Sequence, residues 1–294
     1  MSSIVFNLFT QHHLSSSICQ NLNLPAGTVT IRQFPDTELY LQIISAIKDK
    51  DVIIIDSLDN PNLKIMPLYF FIQTARELGA RSIGLVAPYL AYMRQDMRFN
   101  PGEAVTSNYF AKLLSQNLDW LITVDPHLHR HHDLQEIYSI PTSVVHATES
   151  IVSWIKGNIE NPLLIGPDAE SQQWVQSIAQ QLNCPMIVLN KTRISDTEVK
   201  LKLPDITAYR DLSPVLIDDI ISTAQTMIKT VKLLSQANMN PTICIGIHAI
   251  FANNSYSELL AAGAAKVVTC NSIVHSSNSI DLTAALATSI KSYS

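Results

Sequence analysis

The sequence predicts an α/β protein with mainly parallel sheets. Short apolar runs alternate with helical patterns through both halves of the chain, the rhythm of strand-crossover-strand units. The most informative run, Pro214-Val215-Leu216-Ile217, ends in two adjacent carboxylates, Asp218 and Asp219, before a Ser/Thr-rich turn and a helix. At 294 residues the chain is long enough for two such domains of ordinary size.

Taken in order, residues 4–9 read as a strand and the segment to about 22 as a helix. Residues 28–34 and 39–44 read as strands around the turn at 34–38. Residues 51–56 form an apolar run for a buried strand. Asn60-Pro61 opens the next helix with Pro in its first turn, and Gly79 ends it. Residues 82–87 read as a strand that breaks at Pro88 into a polar, aromatic loop over 89–103. A helix follows from 106 to about 116, then a strand over 120–124. In the second half, 144–145, 163–165, 186–189, 214–217, 242–247 and 266–269 read as strands. Helices lie after 148, over 171–182 and 226–237, near 258, and from about 281. Residues 191–204 are polar with some alternation and predict a loose hairpin or flap. The domain boundary is expected near 145, although no Gly/Pro-rich linker marks it.

Composition narrows the function classes. Apolar residues make up 47% and charged residues 15%, with a net charge of −5 and no basic block, which disfavours a sequence-independent nucleic-acid binder. Cys19, Cys184, Cys244 and Cys270 are widely spaced and read as reduced, mostly buried thiols. The N-terminus lacks a basic leader, and no apolar run reaches the ~18 residues of a membrane span. A cytoplasmic protein without membrane attachment is expected.

The chemistry-bearing segments sit after strands. In an open α/β sheet, ligands collect at the carboxyl ends of strands, where helix N-termini offer free N–H groups to an anion. The turn Ser222-Thr223-Ala224-Gln225-Thr226 suits a phosphate. Asp218 and Asp219 beside it suit a sugar diol or Mg²⁺. A phosphorylated sugar uses both halves. In the loop after 87, Arg94 and Arg98 suit a polyphosphate, since guanidinium forks pair with phosphate oxygens; a solvated loop with incidental charge gives the same pattern. Phe34-Pro35-Asp36-Thr37-Glu38 reads by itself as a turn with an apolar anchor, and Lys191-Thr192-Arg193 as an exposed basic turn. In the run from Asp125 to His132, a zinc reading fails for want of a Cys set at finger spacing. His129, His131 and His132 are expected on a solvated surface.

These segments resemble, in order and over about residues 4–290, the ribose-phosphate diphosphokinases, also called phosphoribosyl-diphosphate (PRPP) synthases. Pro88-Tyr89-Leu90-Ala91-Tyr92-Met93-Arg94-Gln95-Asp96 is similar to a segment that simple phosphoribosyltransferases lack, in which Arg and Gln bind ATP. The resemblance implies two phosphoribosyltransferase-like (Rossmann-like) domains: residues 1–145 for ATP binding and oligomerisation, and 146–294 for ribose 5-phosphate. It implies that Phe34, Asp36 and Glu38 reach a neighbouring subunit's ATP, in a homo-oligomer built from dimers. It gives ATP to Arg94 and Gln95, and ribose 5-phosphate to Asp218, Asp219, Ser222, Thr223, Ala224, Gln225 and Thr226. His127 and Asp168 become ligands of Mg²⁺, and Lys191, Arg193 and His127 the catalytic set. The common form of the sugar-phosphate loop has Asp at the position of Ser222, as archaeal-type members do not, and Gly at 224 and 225. A positive φ at either would cost roughly 1–2 kcal/mol. Glu170-Ser171 stands where relatives usually place Gly-Gly or Gly-Ala. The substitutions at 170, 224 and 225 keep open a weakly active, regulatory relative, and a phosphoribosyltransferase that consumes PRPP is a further alternative. His248 and Phe251 resemble a further family segment and are given no catalytic role.

Overall fold

The computed structural model describes residues 2–9, 13–128, 130–193 and 199–293, without the side chains of 170, 173, 190–193 and 199–202. The chain divides into two compact units, Met1–His146 with Leu282–Ser294, and Ala147–Asp281.

The first unit runs β1 (Ser3–Phe6), α1 (His13–Leu22), β2 (Val29–Gln33), β3 (Leu39–Ile43), β4 (Asp51–Ile55), α2 (Pro61–Glu77), β5 (Ser82–Ala87), α3 (Thr106–Ser115), β6 (Trp120–Val124) and β7 (Thr142–Val145). Five strands form one sheet in the order β1-β4-β5-β6-β7, with every pair parallel. β4 and β6 are buried along their whole length, which is why they read as unbroken apolar runs rather than alternating ones. Phe6, Ile54, Phe71, Leu85, Phe110 and Leu121 belong to the core between sheet and helices. β2 and β3 pair only with each other, as an antiparallel hairpin with the turn 34–38 at its tip. At the start of α2, Pro61 occupies the first turn as expected. Asn60, however, adopts a left-handed conformation and its side chain caps nothing.

The second unit contains α4 (Thr148–Asn158), β8 (Pro162–Gly166), α5 (Gln172–Leu182), β9 (Met186–Val188), β10 (Asn190–Arg193), β11 (Val199–Lys202), β12 (Ser213–Ile221), α6 (Gln225–Gln236), β13 (Ile243–Ala249), α7 (Ser255–Ala261), β14 (Lys266–Cys270) and β15 (Asn278–Ile280). Its six-stranded sheet has the order β15-β14-β13-β12-β8-β9, again parallel throughout. β10 and β11 form a separate antiparallel hairpin, the expected flap. Leu163, Leu216, Met227, Val231, Leu234 and Cys244 belong to the core beside α6.

Two expectations need correction. β12 does not stop before its carboxylates. It continues through Asp218 and Asp219 to Ile221, because β13 goes on pairing with it as far as Ile221↔Ala249. The second domain does not extend to 294. Helix α8 (Thr283–Ile290) and the tail pack on the first unit, against α1, β6 and β7. The physical reason is burial: Leu286, Ala287 and Ile290 are enclosed, Tyr293 stacks on Trp120 at 4.7 Å between ring centroids, and the Tyr293 and Ser143 hydroxyls lie 2.9 Å apart.

Candidate functional site

In the second unit the acidic strand end and the hydroxyl turn are held as one piece. On the β8 side, β12 is released after Leu216↔Ile165, whereas on the β13 side it is paired to the end. The chain leaving β8 turns at Pro167-Asp168. The Asp168 carbonyl accepts the Ser171 hydroxyl at 2.7 Å, and Gly166 leaves room for Ser171 that a Cβ would fill. The geometry brings Asp168 close enough to Asp218 to be felt. Burial raises the Asp218 pKa well above the usual carboxylate range, and the negative charges of Asp219 and Asp168 push it the same way. Asp219 N–H donates to Asp218 Oδ1 (3.1 Å) and Ile220 N–H to Asp219 Oδ1 (2.7 Å), fixing both carboxylates against their own backbone.

The turn that follows is clamped from the next crossover. The Ser222 carbonyl accepts Ala252 N–H (3.1 Å) and the hydroxyl of the buried Ser255 (2.7 Å), and Phe251 N–H donates to the Ile221 carbonyl (2.8 Å). Ala224 caps α6 in the left-handed region, at φ 55°, and Gln225 is already helical. Of positions 224 and 225, only Ala224 therefore bears a positive φ. Ser222 and Thr226 are half-buried and Thr223 is exposed at the mouth of α6, where the first N–H groups of the helix lack intrahelical partners. The backbone of Lys191 and Arg193 lies in β10, facing Leu201 and Val199 of β11 across the hairpin.

The remaining sequence-predicted residues lie in the first unit. Phe34, Asp36 and Glu38 are exposed at the tip of the β2–β3 hairpin. The Arg32 guanidinium lies over the Phe34 and Tyr40 rings at 4.8 and 4.4 Å, and Phe34 N–H donates to the Glu38 carbonyl at 2.8 Å. Arg94 and Gln95 are exposed in the loop after β5, with Gln95 Oε1 accepting the Thr106 hydroxyl at 3.0 Å. His127 is half-buried just beyond β6. His127 and Asp168 thus belong to different units. Among the described residues, no three His, Cys, Asp or Glu side chains are grouped to hold a metal ion, and all four cysteines are free. No described helix is long and apolar enough to cross a membrane.

Comparison with known proteins finds a domain match in each half of the chain. Residues 3–117 match the N-terminal domain of ribose phosphate pyrophosphokinase, and residues 133–283 the phosphoribosyl transferase domain. The ribose-phosphate pyrophosphokinase of Methanobrevibacter smithii is 30% identical over 93% of this chain and 95% of its own length. The chain belongs to the ribose-phosphate pyrophosphokinase family. A second pyrophosphokinase of that name, from Saccharolobus solfataricus, is also 30% identical, over 88% of this chain and 89% of its own. The crystal structure of phosphoribosylpyrophosphate synthetase from Mycobacterium smegmatis shares the fold over 100% of this chain and 99% of that one, with a TM-score of 0.86 at 20% identity.

The family's motif positions are only part of what the structure brings together. Sequence reading passed over Arg130, which pairs with Asp96, and Ser255, which holds the turn at Ser222. It also placed His131 on a solvated surface. Instead its Nδ1 lies 2.9 Å from Glu136 Oε2 and its Nε2 is buried. His132 is exposed as expected, and His129 lies outside the described residues. An Arg and a Glu flanking a His-rich run were the available signal.

Proposed function

We propose that the chain transfers the β,γ-diphosphoryl group of ATP to the 1-hydroxyl of ribose 5-phosphate, giving PRPP and AMP. The observation that carries this reading is the unit formed by Asp168, Asp218, Asp219 and the clamped turn at α6, in a chain whose other half matches the pyrophosphokinase N-terminal domain. Asp218 and Asp219 accept hydrogen bonds from the ribose hydroxyls. The Ser222, Thr223 and Thr226 hydroxyls, with the backbone from Ala224 and Gln225 into α6, hold the 5-phosphate. Arg94 and Gln95 hold the nucleotide, and Phe34, Asp36 and Glu38 of a neighbouring copy close over it, in a homo-oligomer assembled from dimers. The exposure of that hairpin tip supports a contact made between copies.

Mg²⁺ suits the acidic strand end, since the charges of Asp168 and Asp219 both bear on the buried Asp218 and a divalent cation offsets such charge. Magnesium typically takes one or two carboxylates and completes its shell with phosphate oxygens and water. Asp168 and His127 are the residues that would hold it, and when bound it supplies charge neutralisation on the triphosphate. The attacking hydroxyl oxygen bonds to the β-phosphorus, the bond from that phosphorus to the α,β-bridging oxygen breaks, and AMP leaves. Lys191 and Arg193 neutralise the charge that builds on the transferring group, while the sugar and nucleotide sites supply alignment. We place the reaction in the cytoplasm; no described helix is long and apolar enough to cross a membrane.

A coupled assay with Mg²⁺, ribose 5-phosphate and a panel of nucleotides tests this. AMP should form only when ribose 5-phosphate is present. Lys191→Ala and Arg193→Ala should each lower kcat about 10³-fold with an unchanged melting temperature. Absence of AMP formation in wild type, or near-normal rates in both variants, contradicts the assignment.

A further inference from the structure

The first unit holds an ion pair that the nucleotide assignment leaves unused. Arg130 lies in the His-rich segment beyond β6, and its Nη1 is 2.7 Å from Asp96 Oδ1 in the loop after β5. The Asp96 side chain is 3% exposed while that of Arg130 is 38% exposed, and Asp96 Oδ2 is buried without a partner. The guanidinium also lies 5.7 Å from the centre of the Phe99 ring. A surface pair of two long, solvated side chains contributes little, but a carboxylate taken out of water depends on the charge beside it. Arg130 is therefore what makes burial of Asp96 tolerable.

The loop that Asp96 belongs to is tied down on either side of it. Before Asp96, the Gln95 carbonyl accepts Ser107 N–H (3.3 Å) and Gln95 Oε1 the Thr106 hydroxyl (3.0 Å), both at the start of α3. Beyond it, Arg98 Nε donates to the Glu103 carbonyl (2.8 Å), and the Glu103 carboxylate accepts Phe99 and Asn100 N–H. Arg94 is exposed and forms no hydrogen bond or ion pair with the described residues, so it depends on its backbone for aim. The three attachments fix the loop to α3, to itself and, through Arg130, to the segment that also carries His127.

We propose that Arg130 and Asp96 are positioning residues, a clasp that holds the loop bearing Arg94 and Gln95 in its nucleotide-binding geometry against the His127 segment. The proposal rests on the nucleotide reading given above, and its test separates the two. In the absence of nucleotide, hydrogen exchange of the loop amides over 94–99 should be at least about tenfold faster in Arg130→Ala than in wild type. In steady-state assays Arg130→Ala and Asp96→Asn should each raise KM for ATP about tenfold or more, with KM for ribose 5-phosphate within about twofold of wild type. Arg130→Lys should recover part of the loss, and the double variant should be no worse than the more damaged single one. Unchanged exchange in Arg130→Ala, or additive losses in the double variant, overturns the clasp. Loss of ATP affinity with unchanged exchange would make Arg130 a direct nucleotide contact and also overturns it. If wild type binds no ATP, the nucleotide reading fails, and the exchange measurement still decides whether the clasp exists.

Discussion

Ala224 carries local backbone strain and Asp56 a buried titratable charge. Ala224 sits at φ 55°, where a Cβ crowds the following carbonyl, and it does so at the mouth of α6. Ala224→Gly removes that penalty at the cost of some unfolded-state entropy. The second unit should gain about 1 kcal/mol, read as a higher urea midpoint with unchanged slope. Asp56, at the end of β4, accepts Asn7 Nδ2 at 2.9 Å and Leu8 N–H at 2.6 Å, so it pins the chain leaving β1. Burial pushes its pKa from 3.8 up to about 7, against the pull of the Leu8 and Phe9 amides and of Lys64. The folded state then binds the proton more tightly than the unfolded one. The stability from this group is complete below about pH 4 and is lost as pH rises through about 7. Urea midpoints measured across that window should fall more steeply in wild type than in Asp56→Asn. Equal slopes would show that Asp56 is ionised throughout.

Among the elements, those with a strong local signal were legible in advance. β4 and β6 were found because burial on both faces leaves only apolar residues, and α2 because Pro61 and Gly79 punctuate it. The length of β12 was not legible, since two consecutive Asp residues lack strand character. Only the ladder to β13 keeps them extended, and that partner lies far along the chain. The same limit hid the clamp from Ser255 and the Arg130–Asp96 pair, both of which join segments more than 30 residues apart. Close approach between strands is equally invisible. Gly84 of β5 faces Trp120 of β6, and a Cβ built there would fall within the indole ring. Gly84→Ala should therefore destabilise the first unit by about 2–3 kcal/mol, seen as a lower thermal midpoint for that unit. A neutral substitution would mean that the ring can swing away.

At the scale of the molecule, the sequence indicated two α/β units but not that one of them is discontinuous. α8 is weakly amphipathic and its apolar residues would suit either unit; tertiary packing on α1 and the Trp120–Tyr293 stack decide the matter. Removing residues 282–294 strips Leu286 and Ile290 from the first unit, each a fully buried side chain contributing about 1.5–3 kcal/mol. Calorimetry of the shortened chain should show the first unit melting markedly lower while the second is unchanged. A shift confined to the second unit would reverse the assignment.

Because synthesis proceeds from the N-terminus, the half encoded first is the one finished last. While translation continues, the face of the first unit that receives α8 stays uncovered, whereas residues 147–281 form a compact unit among themselves once they emerge from the ribosome. The first unit thus closes only after residues 282–290 have left the ribosome, later than the second unit that is encoded before them.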